Sequence, residues 1–132
     1  MTTAAERAAH ALLARREWIA AEATAALYAA DPSLHDRYGA HGREKCREDA
    51  AYNVQHLAGA MEMDDPRLFA AYVRWVDELL RARNVPTDDL RRHLGFLEDA
   101  CARALAPDDR DGRHVLARCI AAGRDALDGG AA

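Results

Sequence analysis

The sequence predicts an all-α fold of about five main helices, forming one domain over residues 1–132. Alanine is abundant and β-branched residues are scarce, which favours helix. Apolar residues recur at intervals of three and four in several segments. Proline and glycine cluster between those segments, and no internal repeat or linker interrupts the pattern. Together these observations predict a single helical bundle.

The first predicted helix begins after Thr2 or Thr3, either of which can act as its N-cap, and runs to about Ala30. Its apolar stripe is weak, and its length is unusual for a small domain. We therefore expect it to bend, to break or to pack against a second copy of the chain, as in a homodimer. Residues 32–42 contain two glycines and are predicted to be a loop, with one helical turn at residues 33–37.

The second predicted helix spans residues 43–61, and the third has the clearest signals. Asp65 is its expected N-cap, with Pro66 at the first helical position. Its apolar positions share one face, with Trp75 to one side and expected to be half-exposed. Asn84 suits the position that follows a helix, and Pro86 prevents continuation.

The fourth predicted helix begins after Thr87, its expected N-cap, and ends near residue 105. Residues 107–112 are predicted to be a polar loop. A fifth helix follows and is expected to end at Gly129-Gly130.

Composition excludes several classes of function. The net charge is −4, so we expect no broad basic face for nucleic acid. No apolar run is long enough to span a membrane, and the first residues lack the apolar core of a signal peptide. Three widely spaced cysteines indicate a reducing, cytoplasmic setting rather than a disulfide scaffold. With one serine and no glycine-rich phosphate loop, neither a serine hydrolase nor a P-loop enzyme is expected.

The second helix carries a polar seam of four side chains, Cys46, Asp49, Asn53 and His56. Their spacing of three and four residues stacks them beside an apolar sector of the same helix. A buried polar group without a partner costs about 1–3 kcal/mol. The seam therefore needs partners from other helices or from a ligand.

Cys46 is the most reactive candidate in the seam, because it is expected within the first turns of its helix and close to Arg43 and Arg47. Both the helix dipole and these cations favour a thiolate, so Cys46 is a candidate for covalent attachment. The alternative is a small buried side chain that only packs.

The six histidines form no pair at helical spacing, and no cysteine pair exists, so a structural zinc site is not expected. His56 and His93 lie at the edges of apolar stripes, where each is either a haem ligand or a hydrogen-bonded boundary residue. Cys46 and His56 are about 15 Å apart along one helix, too far for a nucleophile–base pair. Tyr52 and Tyr72 are candidates to line a pocket for a flat ligand, and the alternative for Tyr72 is a place in the core.

Residues 43–61 resemble the chromophore helix of phycobiliproteins. In that family a bilin-bearing Cys is followed three residues later by an Asp that binds the pyrrole nitrogens, and a Tyr stands three residues beyond. Cys46, Asp49 and Tyr52 have these offsets. The resemblance extends over residues 43–105 and implies a globin-like fold with a bilin anchored or contacted by Cys46.

The resemblance also implies roles for the neighbouring residues. Glu48 stands where the family has the Arg that pairs with a bilin propionate, so Arg47 or Arg43 takes that part here. Asp49 binds pyrrole N–H groups, and the ligand lies between the second, third and fourth helices. The pocket is lined further by Tyr52, Asn53, His56 and Tyr72.

The whole chain is also similar to a bacterial helical module found alone or ahead of cobalamin-binding domains in sensory proteins. Residues 37–39, 42–49, 72–75 and 85–86 carry this likeness, and Asn53 stands where such modules commonly have His. This resemblance implies a regulatory role and a cobalamin-binding or signalling protein as a partner.

The function predicted from the sequence is a non-enzymatic sensory or regulatory domain that binds a tetrapyrrole, a bilin ahead of haem. One alternative is a protein–protein interaction or dimerisation module without a cofactor, whose polar seam is satisfied internally. Another is an enzyme with Cys46 as nucleophile and a base from another helix, such as His93.

Overall fold

The computed structural model describes residues 1–128, which form six helices and contain no strand. The all-α prediction is confirmed, with six helices where about five were expected. The predicted helix end at Gly129-Gly130 lies outside the described residues. The helices are α1 (Ala4–Ala14), α2 (Arg16–Ala30), α3 (Ser33–Glu62), α4 (Pro66–Ala82), α5 (Thr87–Ala104) and α6 (Arg110–Asp128).

The predicted first helix is broken into α1 and α2 at Arg15, whose φ of −115° and ψ of 20° are not helical. The break lets α1 pack on α3 and α6, while α2 packs on α3 and α5. Thr3 is the N-cap of α1: its hydroxyl accepts the backbone N–H of Glu6, and the Glu6 carboxylate accepts that of Thr3. This reciprocal pair is a capping box, which fixes where α1 begins.

The predicted loop at residues 32–42 is wrong in its extent: the expected helical turn at residues 33–37 is present as the start of α3, and helix resumes directly after Gly39, before the predicted start at residue 43. Gly39 has φ 68° and ψ −174°, which are not helical, so α3 consists of two helical pieces that meet at a kink there. Glycine adopts this left-handed conformation at little steric cost, so the chain bends sharply there and resumes its helix. Residues 33–38 form a short helical segment, called the arm below, that packs against α2 and α5.

The ends of α4 follow the sequence prediction closely. Asp65 caps the helix by accepting the backbone N–H of Arg67 at 3.1 Å, and Pro66 occupies the first position. At the other end Asn84 has φ 65°, and the N–H of Val85 donates to the carbonyl of Leu80 at 2.9 Å. This is a Schellman ending, with asparagine in the left-handed position.

The starts of α5 and α6 differ from the prediction. Pro86 is the N-cap of α5, and the Thr87 hydroxyl donates instead to Asp77 on α4 at 2.7 Å. Thr87 therefore ties two helices together and does not cap its own. α6 begins at Arg110, inside the predicted loop, and the carboxylate of Asp109 accepts the N–H of Gly112 at 2.9 Å.

The main apolar core lies between α4 and α6, with α1, α3 and α5 packed around it. Phe69 and Val73 of α4 are fully buried against Gly123 of α6. A second, smaller cluster of Leu27, Tyr28 and Leu34 lies where the arm meets α2. Trp75 is 57% exposed, as predicted. None of the helices within residues 1–128 has the length and apolar character needed to cross a membrane.

Candidate functional site

A pocket of about 290 Å³ opens between α2, the arm and body of α3, the end of α4 and the start of α5. This volume is close to the lower limit of small-molecule sites, and about twice that of a cavity that holds benzene. Its walls are mostly apolar and are formed by Leu27, Tyr28, Leu34, Tyr38, Val76, Leu80, Val85 and Leu90.

The arm is held against α5 by hydrogen bonds and ion pairs centred on Asp89, which is buried. The Tyr38 hydroxyl donates to one Asp89 carboxylate oxygen at 3.1 Å, and Arg37 lies 3.4 Å from the same oxygen. Arg92 donates to the other oxygen at 2.7 Å and also reaches Asp31 at 3.0 Å. These contacts keep the arm in place as one wall of the pocket.

Cys46, Asp49 and Asn53, three members of the predicted seam, line this pocket. The Thr24 hydroxyl lies 3.9 Å from the Cys46 sulfur and donates to it. Burial raises the pKa of the Cys46 thiol, and this outweighs the lowering effect of Thr24 and of Arg43. Cys46 lies seven residues after the Gly39 kink, beyond the first turn, where the helix dipole acts most strongly. The thiol form is therefore favoured.

Asp49 is half-buried in the pocket wall, and no hydrogen bond or ion pair joins it to another described residue. Burial raises the pKa of its carboxyl group, while Lys45 and Arg83 oppose that shift. Both cations are exposed and lie at the rim of the same pocket. The mouth therefore carries two positive charges and one carboxyl group.

A relay of three side chains reaches the inner end of the pocket through Asn53 and His93, which line it, while Tyr72 does not. The Tyr72 hydroxyl donates to Oδ1 of Asn53 at 2.7 Å, and Nδ2 of Asn53 lies 3.1 Å from Nε2 of His93. Asn53 is 5% and His93 6% exposed. Because Nδ2 can only donate, Nε2 of His93 must accept, and the imidazole proton therefore lies on Nδ1.

Nδ1 of His93 is buried and has no hydrogen-bond partner within residues 1–128. Burial lowers the pKa of His93 to about 4, so the ring is neutral at pH 7. A neutral histidine in this tautomer has one N–H donor, and here that donor is unsatisfied. His93 also lines the pocket.

His56 and Tyr72 lie beyond the inner end of the pocket. The exposed His56 ring stacks on Tyr72 with ring centres 3.9 Å apart and planes 10° from parallel. Burial, and then the nearby Asp49, raises the pKa of Tyr72 to about 12, so its hydroxyl keeps its proton and donates to Asn53. The predicted seam is thus split, with His56 on the outside.

The remaining predicted site residues face elsewhere. Tyr52 and Arg47 line a separate, polar depression of about 310 Å³. Arg47 pairs there with Glu17 at 2.9 Å and also with Glu44. The Arg43 guanidinium lies 5.1 Å from the centre of the Tyr28 ring, stacking behind a pocket wall rather than lining the pocket.

No protein-family model matches this chain. Comparisons with curated proteins and with solved structures also found no significant match. Over the part of the chain that the structure describes, no group of three or more His, Cys, Asp or Glu side chains is arranged to hold a metal ion.

Sequence reasoning did not place the arm or the Val85 turn in the site, and it considered His93 as a hydrogen-bonded boundary residue, a haem ligand or a base. Tyr38 was missed because its segment was assigned to a loop. For His93 the one available signal was its position at the edge of the apolar stripe of α5. Its contact with Asn53 joins residues 40 positions apart, which no local pattern reveals.

Proposed function

We propose that this chain is a non-enzymatic sensory or regulatory domain that binds a small, mainly apolar ligand in the pocket between α2, α3, α4 and α5. The observation that carries the proposal is the unsatisfied N–H of His93 at the end of an apolar pocket. An unpaired buried donor costs about 1–3 kcal/mol, which a ligand with a suitable acceptor recovers. Apolar walls with few polar groups are typical of ligand sites.

The polar groups in the pocket favour binding over catalysis. The raised pKa of Cys46 disfavours a thiolate at neutral pH, and the partner of its sulfur is Thr24 rather than a base. Nε2 of His93 is occupied by Asn53. A nucleophile–base pair of the kind that covalent catalysis needs is therefore not assembled from Cys46 and His93.

A pocket-filling variant tests the proposal. Leu80 lines the pocket near the end of α4, whereas Leu68 on the same helix is exposed. We expect the neutral fluorescent probe N-phenyl-1-naphthylamine to bind saturably to the wild type and to Leu68→Trp, but not to Leu80→Trp. Circular dichroism spectra establish that both variants keep their helices. Equal binding by the two variants would place the probe elsewhere and refute the pocket as the binding site.

Within this proposal a tetrapyrrole, a bilin ahead of haem, is the ligand that the sequence favours. Cys46 and Asp49 support it because they lie one helical turn apart on the same pocket wall. The enclosed volume suits only part of such a ligand, so the remainder would extend through the mouth between Lys45 and Arg83. Those two cations suit the propionate groups of a tetrapyrrole.

The tetrapyrrole is tested by visible spectra after separate incubation with biliverdin, phycocyanobilin and haemin. A red-region band that survives denaturation in the wild type and is lost in Cys46→Ser would support a bilin thioether. A Soret band without covalent attachment would favour haem. Flat spectra would refute the tetrapyrrole, while probe binding in the preceding experiment would still support the pocket.

A second candidate function is a homodimeric interaction module without a cofactor, supported by an aromatic strip on α3 and α4. We define the strip as Tyr52, His56, Tyr72 and Trp75. Tyr52 is 62% exposed, and the Tyr72 and Trp75 ring centres are 6.1 Å apart. Exposed apolar patches of this kind mark contact surfaces. The resemblance to modules ahead of cobalamin-binding domains adds a cobalamin-binding or signalling protein as a further partner to test.

Light scattering coupled to size-exclusion chromatography tests the homodimer. We expect Trp75→Ser to shift a dimer towards monomer, and Arg74→Ser, an exposed neighbour on the same helix, to leave it unchanged. A wild-type monomer at high protein concentration would count against the dimer.

A further inference from the structure

We infer that the pocket selects a ligand that presents an uncharged carbonyl oxygen to the Nδ1–H group of His93, an inference that rests on the pocket function proposed above. His93 is 6% exposed, lines the pocket and has an unpartnered Nδ1. The feature that points to a ligand is thus a buried donor at the wall of a cavity.

The relay fixes both the direction and the number of hydrogen bonds available. Tyr72 donates to Asn53, and Asn53 donates to Nε2 of His93. The relay starts at the Tyr72 hydroxyl and ends at a single donor that has no partner among the described residues, Nδ1–H. A ligand therefore needs an acceptor at this point. A donor group on the ligand would find no acceptor on the His93 ring, because Nε2 already accepts from Asn53.

A carbonyl oxygen suits this position better than a hydroxyl group. Both carboxylate oxygens of Asp89 already accept, one from Arg92 and the other from Tyr38. Oδ1 of Asn53 accepts from Tyr72. A ligand hydroxyl needs an acceptor for its proton, and Asp49 is the one carboxyl group lining the pocket that has no partner among the described residues, whereas a carbonyl needs no such second partner.

An anionic group does not suit the inner end. The cations around the pocket are either paired with Asp89, as Arg37 and Arg92 are, or lie at the rim, as Lys45 and Arg83 do. The apolar residues that line the pocket together with His93 include Leu90, Val76 and Leu80. A carboxylate placed there would lose its hydration without gaining a cation, which is costly.

The pocket volume sets the size of a suitable probe. A cavity of about 150 Å³ holds benzene, so about 290 Å³ suits a compact molecule of two fused rings. 1-Tetralone and tetralin form a matched pair of this size, differing in one carbonyl oxygen. Their difference in affinity isolates the hydrogen bond from the apolar contacts.

The experiment measures dissociation constants of both compounds by NMR titration of the full chain. We expect 1-tetralone to bind the wild type about ten-fold more tightly than tetralin, because it satisfies a buried donor. The preference should disappear in His93→Phe and persist in His114→Phe, whose side chain is exposed. In case His93→Phe does not fold, the imidazole ¹⁵N spectrum of the wild type supplies a second measurement. Its Nδ1–H signal should shift with 1-tetralone and not with tetralin.

The possible results separate this inference from the proposed function. Equal binding of both compounds would leave the pocket as a ligand site and overturn the role of His93. Binding of neither compound would overturn both proposals. Tighter binding of tetralin-1-carboxylate than of 1-tetralone would assign recognition to Lys45 and Arg83 and would also overturn the inference.

Discussion

The buried state of His93 predicts a specific loss of stability in acid. In the folded protein burial lowers its pKa to about 4, against an ordinary value of 6.5. Between these two pH values the unfolded chain binds a proton at this position and the folded protein does not. The free energy of unfolding contributed by His93 is therefore fully present above pH 6.5 and is lost as the pH falls towards 4.

The size of the effect follows from the two pKa values. One pKa unit corresponds to about 1.4 kcal/mol, so the interval from 6.5 to about 4 amounts to about 3 kcal/mol. That is a large fraction of the stability of a domain this size. Because the His93 ring is almost completely buried, solvent screening reduces this value little.

The assay is urea unfolding followed by circular dichroism at pH 7, 6, 5 and 4. His93→Gln is the matched control, because the glutamine carbonyl can still accept from Asn53 while nothing titrates at this position. Carboxyl groups such as Asp49 change stability in the same pH range, but they do so in both proteins. We expect the wild type to lose about 3 kcal/mol more than the variant between pH 7 and pH 4. Parallel pH profiles would refute a neutral, buried His93.

Three further predictions concern the helix ends, the core and the thiol. Asn84→Ala should lower the free energy of unfolding by about 1 kcal/mol and Asn84→Gly should not, because residue 84 has φ 65°. Thermal unfolding measures both variants, and equal effects would contradict the Schellman ending. Gly123→Ala should lower the free energy of unfolding by about 1–3 kcal/mol, because a Cβ there would lie 2.9 Å from buried Phe69. Gly59→Ala has open space around its Cβ and should raise the free energy of unfolding by about 0.5–1 kcal/mol. Cys46 in the native protein should react with iodoacetamide at pH 7 more slowly than in the urea-unfolded chain, as followed by mass spectrometry; a faster native rate would revive the nucleophile alternative.

The sequence predicted most accurately the elements whose signals are local. The Asp65 cap, Pro66 at the first position and the Asn84 turn all act within a few residues, and α4 has the expected bounds. The start of α3 was wrong because two glycines in residues 32–42 suggested a loop. Gly39 does interrupt the helix, with φ 68° and ψ −174°, but the residues on both sides of it are helical, which the glycines alone did not indicate.

The candidate site was predictable only in part, for the same reason. Helical spacing correctly grouped Cys46, Asp49 and Asn53 on one face of α3, and the pocket brings them together. The other walls come from the arm, α2 and α5, which are distant in sequence. Their positions depend on tertiary contacts, such as those of Asp89 with Tyr38, that no periodic pattern contains.

The split in the polar seam shows why helical spacing alone cannot define a pocket. At about 100° per residue, Asp49 and His56 point in directions only about 20° apart, yet Asp49 lines the pocket and His56 does not. The direction in which each side chain points around α3 therefore does not explain the difference. The position of each residue along the helix axis explains it. Tyr72 from α4 lies between the two levels, stacking on His56 and donating to Asn53. Tyr72 does not line the pocket, but it orients Asn53, which does, and through Asn53 it orients the relay to His93.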